Sequence, residues 1–345
     1  MHTSTFDPVT AFRRLAEHHR PLAVSGLATL GLLALFLFGL VLDPRTIGGA
    51  PAWLKPTKFA VSITVYTFTL LWLLGHVRQH TVWRARLVRS AGWVVVVTFA
   101  VEWVAVVTQV LRGTTSHFNV ATPFDAAIYA LMGLAINVLL LANVVVAGLL
   151  VTQRFERPSL GWALRLGLAI TIVGMAQAFL MTSPTATQLA GWQAGESVTV
   201  AGAHSVGAPD GGPGLRVTGW RSDVGDLRVG HFVGLHALQV IPMFGVWLQR
   251  RRRLVEGQRT ALVAVAAGGY LGLTALVTWQ ALRAQPLLRP DTLTLAALAL
   301  LVVAFAVAAL VVVRSAPTSA RADVERAVPG PTGRPFSATV GRPES

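Results

Sequence analysis

Eight long apolar runs follow one another along the chain and are separated by short polar segments. Each run is close to the ~20 residues that a helix needs to cross the hydrocarbon core of a bilayer. Backbone groups inside a bilayer must be satisfied within the segment, which favours helices. The pattern therefore predicts an all-α, polytopic membrane protein with eight transmembrane helices, at about 22–42, 56–75, 90–111, 123–151, 160–181, 227–248, 260–282 and 292–313.

The polar segments divide the rest of the chain. Residues 1–20 carry Arg13, Arg14 and Arg20 among apolar positions, which is typical of an amphipathic segment lying on a membrane surface. We expect a transmembrane domain over 21–314, with its longest connection at 182–228. The tail, 315–345, is rich in Pro, Ala, Ser, Thr and Arg, and this composition predicts disorder.

Composition agrees with this architecture and excludes some functions. Apolar residues make up 53% of the chain and charged residues 13%, whereas soluble domains carry about 25% charged residues. The net charge of +14 comes mostly from Arg beside the apolar runs, so it predicts contact with the lipid bilayer and not with nucleic acid. The absence of cysteine excludes disulfides, thiolate metal sites and cysteine nucleophiles.

Loop charge predicts the orientation. The N-terminus, the second, fourth and sixth connections and the tail together hold 20 of the 29 basic residues. Cytoplasmic loops are enriched in Lys and Arg. We therefore expect a cell (inner) membrane protein with both termini in the cytoplasm. The first, third, fifth and seventh connections then lie outside, and they contain most of the residues that could do chemistry.

The segment from Gly202 to Gln239 is the richest of these, with three of the nine histidines and three of the 15 acidic residues. His231 and His236 lie about 140° apart on the sixth helix, so they do not have the i, i+4 spacing of two metal ligands on one face. They either serve the site or bond to other helices. Candidate catalytic residues in this segment are His204, Asp210, Asp223, Asp226, His231 and His236, and candidate substrate-binding residues are Arg228 and Gln239.

Several of these candidates also have a purely structural interpretation. Asp226 precedes the sixth helix, where a carboxylate caps the helix and favours its dipole, and Arg228 can pair with it locally. Thr122, Pro123 and Asp125 read as a capped helix start. That start leaves His117 and Asn119 unexplained, so we add Asn119 to the substrate-binding set and His117 to the candidate metal ligands.

The two lysines stand out in an arginine-rich chain. Lys55 and Lys58, within LKPTKF, are the only lysines beside 27 arginines. They lie at a helix N-terminus, where cations oppose the dipole, and on the side that the topology rule disfavours. Two broken rules at one place indicate function. The natural partner is an anion, such as a phosphate-bearing or other anionic lipid, although lysines that reach toward headgroups explain the pattern as well.

Glu102 lies near the middle of the third predicted helix. An acid at this depth is a functional candidate by default. It could carry protons, or it could be protonated and bonded to Asn137, Asn143, Gln177 or Gln280 on other helices. No basic residue is expected inside the membrane with it.

The histidines raise the question of a metal. His117, His204, His231 and His236 could bind a divalent metal such as zinc, or less readily haem, but their spacing matches no catalytic zinc motif.

The sequence thus predicts an extracytoplasmic site of His, Asp and Lys. We interpret it as that of a membrane-embedded, metal-dependent or metal-free enzyme acting on a lipid or other anionic substrate. In the alternative, the same residues form the vestibule or docking surface of a transporter or accessory protein. The nearly uniform Ala, Leu and Val of the last two helices offer that alternative no polar path.

Overall fold

The computed structural model describes residues 7–315; residues 1–6 of the predicted N-terminal segment and residues 316–345 of the predicted tail, 315–345, lie outside them. The protein is 71% helical with very little strand, and the described part has eight segments long and apolar enough to span a membrane. The all-α polytopic prediction is therefore confirmed. The helices are α1 (Pro8–His18), α2 (Arg20–Leu42), α3 (Leu54–Leu74), α4 (Val82–Leu111), α5 (Pro123–Val151), α6 (Pro158–Ala176), α7 (Ala178–Thr182), α8 (Ala186–Gln193), α9 (Leu227–Gln249), α10 (Glu256–Leu282) and α11 (Thr292–Arg314), and the strands are β1 (Thr46–Ile47), β2 (Ala50–Pro51), β3 (Ser205–Val206) and β4 (Gly225–Asp226).

Two groups of helices make up the bundle. In one, α2, α3, α4 and α5 pack around a core that includes Leu70, Leu74 and Leu150. In the other, α6, α9 and α10 pack tightly together, and α11 lies outside them and packs mainly against α10. Only Thr294 of α11 is buried, so this helix offers nearly its whole surface to the surrounding lipid.

Glycines set the closest helix crossing, where α6 meets α9. A methyl group added to Gly234 would stand 2.6 Å from the Cα of Gly174, so the two backbones touch. Small residues allow such close approach between membrane helices, where packing and not the hydrophobic effect holds helices together. This crossing fixes the position of α9 and of the polar residues at its start.

Side-chain caps mark the starts of α5, α9 and α11, and the sequence predicts the first two of them. The Thr122 side chain accepts a hydrogen bond from the backbone of Asp125, with Pro123 in the first turn. Asp226 accepts from the backbone of Arg228 at the start of α9, and Asp291 caps α11 in the same way. Each cap satisfies a helix-end N–H that would otherwise have no partner.

The structure departs from the predicted boundaries in two places. Helix α4 begins at Val82, eight residues early, because Arg84 is buried and donates to the carbonyls of Arg78 and Leu149 and to the hydroxyl of Thr152. The fifth span breaks at Gln177 and continues as two shorter helices. The N-terminal segment forms α1, which packs against α2 and α3.

Candidate functional site

The connections at one end of the bundle touch each other and form what we call the loop cap, residues 43–53, 112–122, 183–226 and 283–291. The β1–β2 hairpin lies beside the second and third of these segments, since Gly49 is next to the carbonyl of Gly211. Backbone hydrogen bonds join Val120 to Thr199 at 2.9 Å and Ala201 to Phe118 at 2.8 Å. The loop cap therefore brings polar residues from distant parts of the sequence over the ends of α3, α4 and α9.

A histidine–aspartate pair lies within the loop cap. The Nδ1 atom of His204 is 2.8 Å from a carboxylate oxygen of Asp210. The same carboxylate accepts the backbone N–H groups of His204 and Ser205, so Asp210 must be the acceptor and Nδ1 the donor. This tautomer leaves Nε2 as the basic atom of the ring. Nε2 makes no hydrogen bond within residues 7–315.

Two glycine turns, a strand pairing and a ring contact hold the His204–Asp210 pair in place. Glycines at positive φ, Gly207 at 96° and Gly211 at 95°, turn the chain back on either side of Asp210. Ser205 pairs with Asp226 in the β3–β4 ladder. The ring of Phe118 packs against that of His204, with centroids 4.7 Å apart. The imidazole is therefore fixed from both sides.

The surroundings of the pair lower the pKa values of both His204 and Asp210. Burial lowers the pKa of His204, and the positive Arg228 and Lys55 lower it further, while the bond to Asp210 opposes them. Burial alone would raise the pKa of Asp210, but its bonds with His204 and Ser205 outweigh this and lower it. Near neutral pH the pair is thus a neutral imidazole on an ionised carboxylate.

Lys55, in the first turn of α3, is the charge at the centre of the site. Its ammonium has no hydrogen-bond or ion-pair partner within the described residues and lies 5.8 Å from the ring centroid of Phe59. Its charged neighbours are Glu102, Arg228, Lys58 and Asp210. An unpaired ammonium beside two further cations is a natural binding point for an anion.

His117 belongs to the same cluster. Its ring meets Phe59 edge-on at 5.7 Å, and Ser116 bonds to its Nδ1 at 3.1 Å. Burial, and after it the nearby ammonium of Lys55, lower the pKa of His117 well below its usual range. It is therefore neutral at physiological pH.

Lys58 and Arg228 are held by one turn of the loop cap. Lys58 Nζ donates to the carbonyl of Thr218 at 2.6 Å, and Arg228 donates to the carbonyl of Gly219 at 2.9 Å. Arg228 also pairs with Asp226 at 2.5 Å. Asp226 therefore caps α9 and neutralises Arg228, while Lys58 keeps its charge unpaired.

Glu102 is nearly inaccessible, with 2% of its surface exposed, and one carboxylate oxygen has no hydrogen-bond partner within the described residues. The four amides considered as partners bond elsewhere or, for Gln177, leave their own oxygen unpaired. Lys55, in the first turn of α3, acts on Glu102 as an opposite charge, but no ion pair or hydrogen bond joins the two within the described residues.

His231 and His236, about 140° apart around α9, make separate hydrogen bonds. His231 Nδ1 donates to the carbonyl of Gly174 on α6 at 2.7 Å. His236 bonds to Gln239 on its own helix at 3.2 Å, and Gln239 reaches Thr69 on α3 at 3.3 Å. No hydrogen bond joins the two histidines within the described residues.

The remaining candidates lie in the loop cap without reaching the cluster. The side chain of Asn119 is used within its own loop, by Thr114, Thr115 and Ala121. Asp223 is exposed and pairs with Arg221 at 2.8 Å. Arg221 itself was not predicted: it is 5% exposed and also donates to the Pro209 carbonyl, which ties the loop together. The only feature of the sequence that indicated this role of Arg221 is Asp223, two residues later.

Among residues 7–315, no group of three or more His, Cys, Asp and Glu side chains converges in a way that could hold a metal ion. The rings of His117 and His204 both contact Phe118, whereas His231 and His236 bond to Gly174 and Gln239. The zinc and haem interpretations therefore stay predictions that this part of the chain does not support.

Comparison of the chain with protein-family models, with curated proteins and with solved structures gave no match.

Proposed function

We propose that this integral membrane protein is an enzyme that hydrolyses or transfers part of an anionic lipid at the extracytoplasmic face. The observation that carries the proposal is the His204–Asp210 pair, with a free Nε2 and with Lys55 as a charged neighbour. A positioned base beside an unpaired cation is the minimal equipment for attack on an anionic centre.

The chemistry follows from the tautomer. Asp210 holds the Nδ1 proton, so Nε2 can take the proton of an attacking hydroxyl, either water in a hydrolysis or an alcohol in a transfer. The new bond forms between that oxygen and the phosphoryl or acyl centre. The bond to the leaving oxygen breaks, and Nε2 returns the proton to it. Lys55 offsets the negative charge that develops on the reacting group.

Removing the base should nearly abolish turnover. We expect His204→Ala to lower the rate about 100-fold or more, the usual contribution of a general base. The assay would follow headgroup release or transfer from a panel of anionic phospholipids in vesicles by mass spectrometry. His80→Ala, at an exposed histidine near the opposite end of the bundle, is the matched control and should leave the rate unchanged. Wild-type protein inactive on every lipid would contradict the proposal.

The pH profile separates a base from a structural histidine. Because only neutral His204 accepts a proton, activity should be lost as the pH falls through its pKa, which burial places below the usual histidine range. Asp210 raises that pKa, so Asp210→Asn should move the acid limb to still lower pH while reducing the plateau rate. An acid limb that stays in place would mean that another group carries the titration.

The extracytoplasmic placement is tested by labelling. The chain has no cysteine, so single cysteines report without background. We expect Val217→Cys, at a loop-cap position that is 79% exposed, to react with a membrane-impermeant maleimide in intact cells. Arg252→Cys, between α9 and α10, should react only after lysis. The reverse pattern would invert the orientation.

The transporter alternative has less support. The polar residues below Glu102 include a bonded pair, Tyr66 and Asn143. Beyond this pair the helices α3 and α5 bring together Leu74, Val146 and Leu150, each at most 1% exposed. This apolar layer favours a site that opens to one face. A metal-dependent version of the reaction is likewise less supported, since no set of three ligands converges within the described part.

A further inference from the structure

The helices α3 and α9 are in contact over only a short stretch. Most of the packing of α9 is against α6 and α10. The residues Lys58, Val61, Val65 and Thr69 follow each other at helical spacing along α3. On α9, Arg228, Phe232, His236 and Gln239 do the same. We call these two stripes and the space between them the α3–α9 seam. Each stripe begins with a cation at the loop cap and runs down into the membrane.

The upper end of the seam is cationic. Lys58 and Arg228 donate to two successive carbonyls, those of Thr218 and Gly219, so one turn of the loop cap holds both. The ammonium of Lys58 makes one hydrogen bond and has two further protons to donate. Asp226 offsets Arg228. The seam therefore ends in one unpaired positive charge beside a guanidinium that is already oriented.

The middle of the seam is apolar and open to lipid. Val61 is 48% exposed, Val65 39% and Phe232 42%. A ladder of rings lines it from the loop cap downward: Trp220 lies 5.4 Å from Phe232, and Phe232 lies 4.2 Å from His236. Such a surface suits a chain of methylene groups.

The lower part of the seam is polar at a depth where polar groups are costly. Along α9, His236 lies about 14 Å below Leu227 at 1.5 Å per residue. His236 bonds to Gln239, and Gln239 bonds to Thr69 across the seam. The second ring nitrogen of His236 has no hydrogen bond within the described residues. A half-exposed polar network facing hydrocarbon is costly, and the apolar surface of the seam ends at it.

We infer that an anionic phospholipid docks from the bilayer along the α3–α9 seam. Its phosphate lies at Lys58 and Arg228, and one acyl chain passes Val61, Val65 and Phe232. This deepens the proposed function, on which it rests only for the fate of the bound lipid: the phosphate is delivered at Lys58, three residues from Lys55 and the His204 pair. Docking itself is measurable without turnover.

The test uses a fluorescent label in the seam. Val65→Cys, labelled with bimane, is reconstituted in phosphatidylcholine vesicles that contain brominated phosphatidylglycerol or, at the same mole fraction, brominated phosphatidylcholine. We expect phosphatidylglycerol to reach half-maximal quenching at a several-fold lower mole fraction. The matched control is Val302→Cys on α11, which is 56% exposed and should be quenched equally by both lipids.

Charge-removing variants complete the test. In the Val65→Cys background, Lys58→Gln should bring the two lipids to parity, and Lys58→Arg should keep the preference, which shows that the background still folds. Parity in the unmodified seam, the same preference at Val302, or a preference that survives Lys58→Gln would each overturn the inference. Absence of quenching by either lipid would mean that a second copy of the chain covers the seam and would overturn it too. Seam binding without turnover would instead count against the proposed function alone.

Discussion

Replacing Lys55 by Gln should lower turnover of an anionic lipid about 100-fold or more, the loss typical of removing one preorganised charge from an active site. The same variant should unfold at the same temperature as wild type or higher. Lys55 makes no hydrogen bond or ion pair within residues 7–315. Replacing it by Gln therefore removes a desolvated charge without breaking either kind of contact. Activity and thermal midpoint, measured on one preparation, would show the two effects together.

A loss of turnover without a loss of unfolding temperature would distinguish a binding role of Lys55 from a structural one. A lysine that merely stabilises the fold would lower the unfolding temperature when replaced, in proportion to its lost contacts. A lysine kept for binding destabilises the free protein and contributes only when its partner is present. Lys55→Arg should restore part of the activity, because the charge returns in a bulkier form.

A matched control removes the same charge from the same face. Arg216 is exposed in the loop cap and makes no hydrogen bond within the described residues. Arg216→Gln should leave both turnover and unfolding temperature unchanged. If it lowers turnover as much as Lys55→Gln does, the effect comes from the overall charge of the face, and Lys55 has no special role.

Sequence patterns predict the spans of this protein well because bilayer thickness and backbone satisfaction impose them locally. The same locality fixes the separation of about 140° between His231 and His236 around α9, since it depends only on helix geometry. The early start of α4 escapes the pattern. Arg84 looks like a loop residue until its partners are known, Leu149 in the last turn of α5 and Thr152 just after it.

The composition of the site is only partly predictable from the sequence. Alternating spans place Lys55, His117 and His204 at one end of the bundle, but their convergence depends on the path of the loop cap. Nothing in the sequence distinguishes Asp210, which holds His204, from Asp223, which bonds to a buried arginine. The electrostatic effect of Glu102 on Lys55 likewise depends on the packing of α3 beside α4.

Gly234→Ala should destabilise the protein by about 2–3 kcal/mol, the upper part of the usual range for overpacking. The added methyl would stand 2.6 Å from the Cα of Gly174 and 3.2 Å from its backbone nitrogen. Because these are backbone atoms, the only relief is to move α9 away from α6. That movement would also stretch the bond from His231 to the Gly174 carbonyl, now 2.7 Å long.

The control for this prediction is Gly133→Ala on α5, where an added methyl meets nothing within 4 Å. There alanine should stabilise the helix by as much as about 1 kcal/mol, the difference in intrinsic propensity. Thermal unfolding in detergent, followed by loss of the monodisperse peak in size-exclusion chromatography, measures both. Equal midpoints for the two variants would mean that α6 and α9 are not in backbone contact. The start of α9, with Arg228 and Asp226, would then lack the support on which the geometry of the site depends.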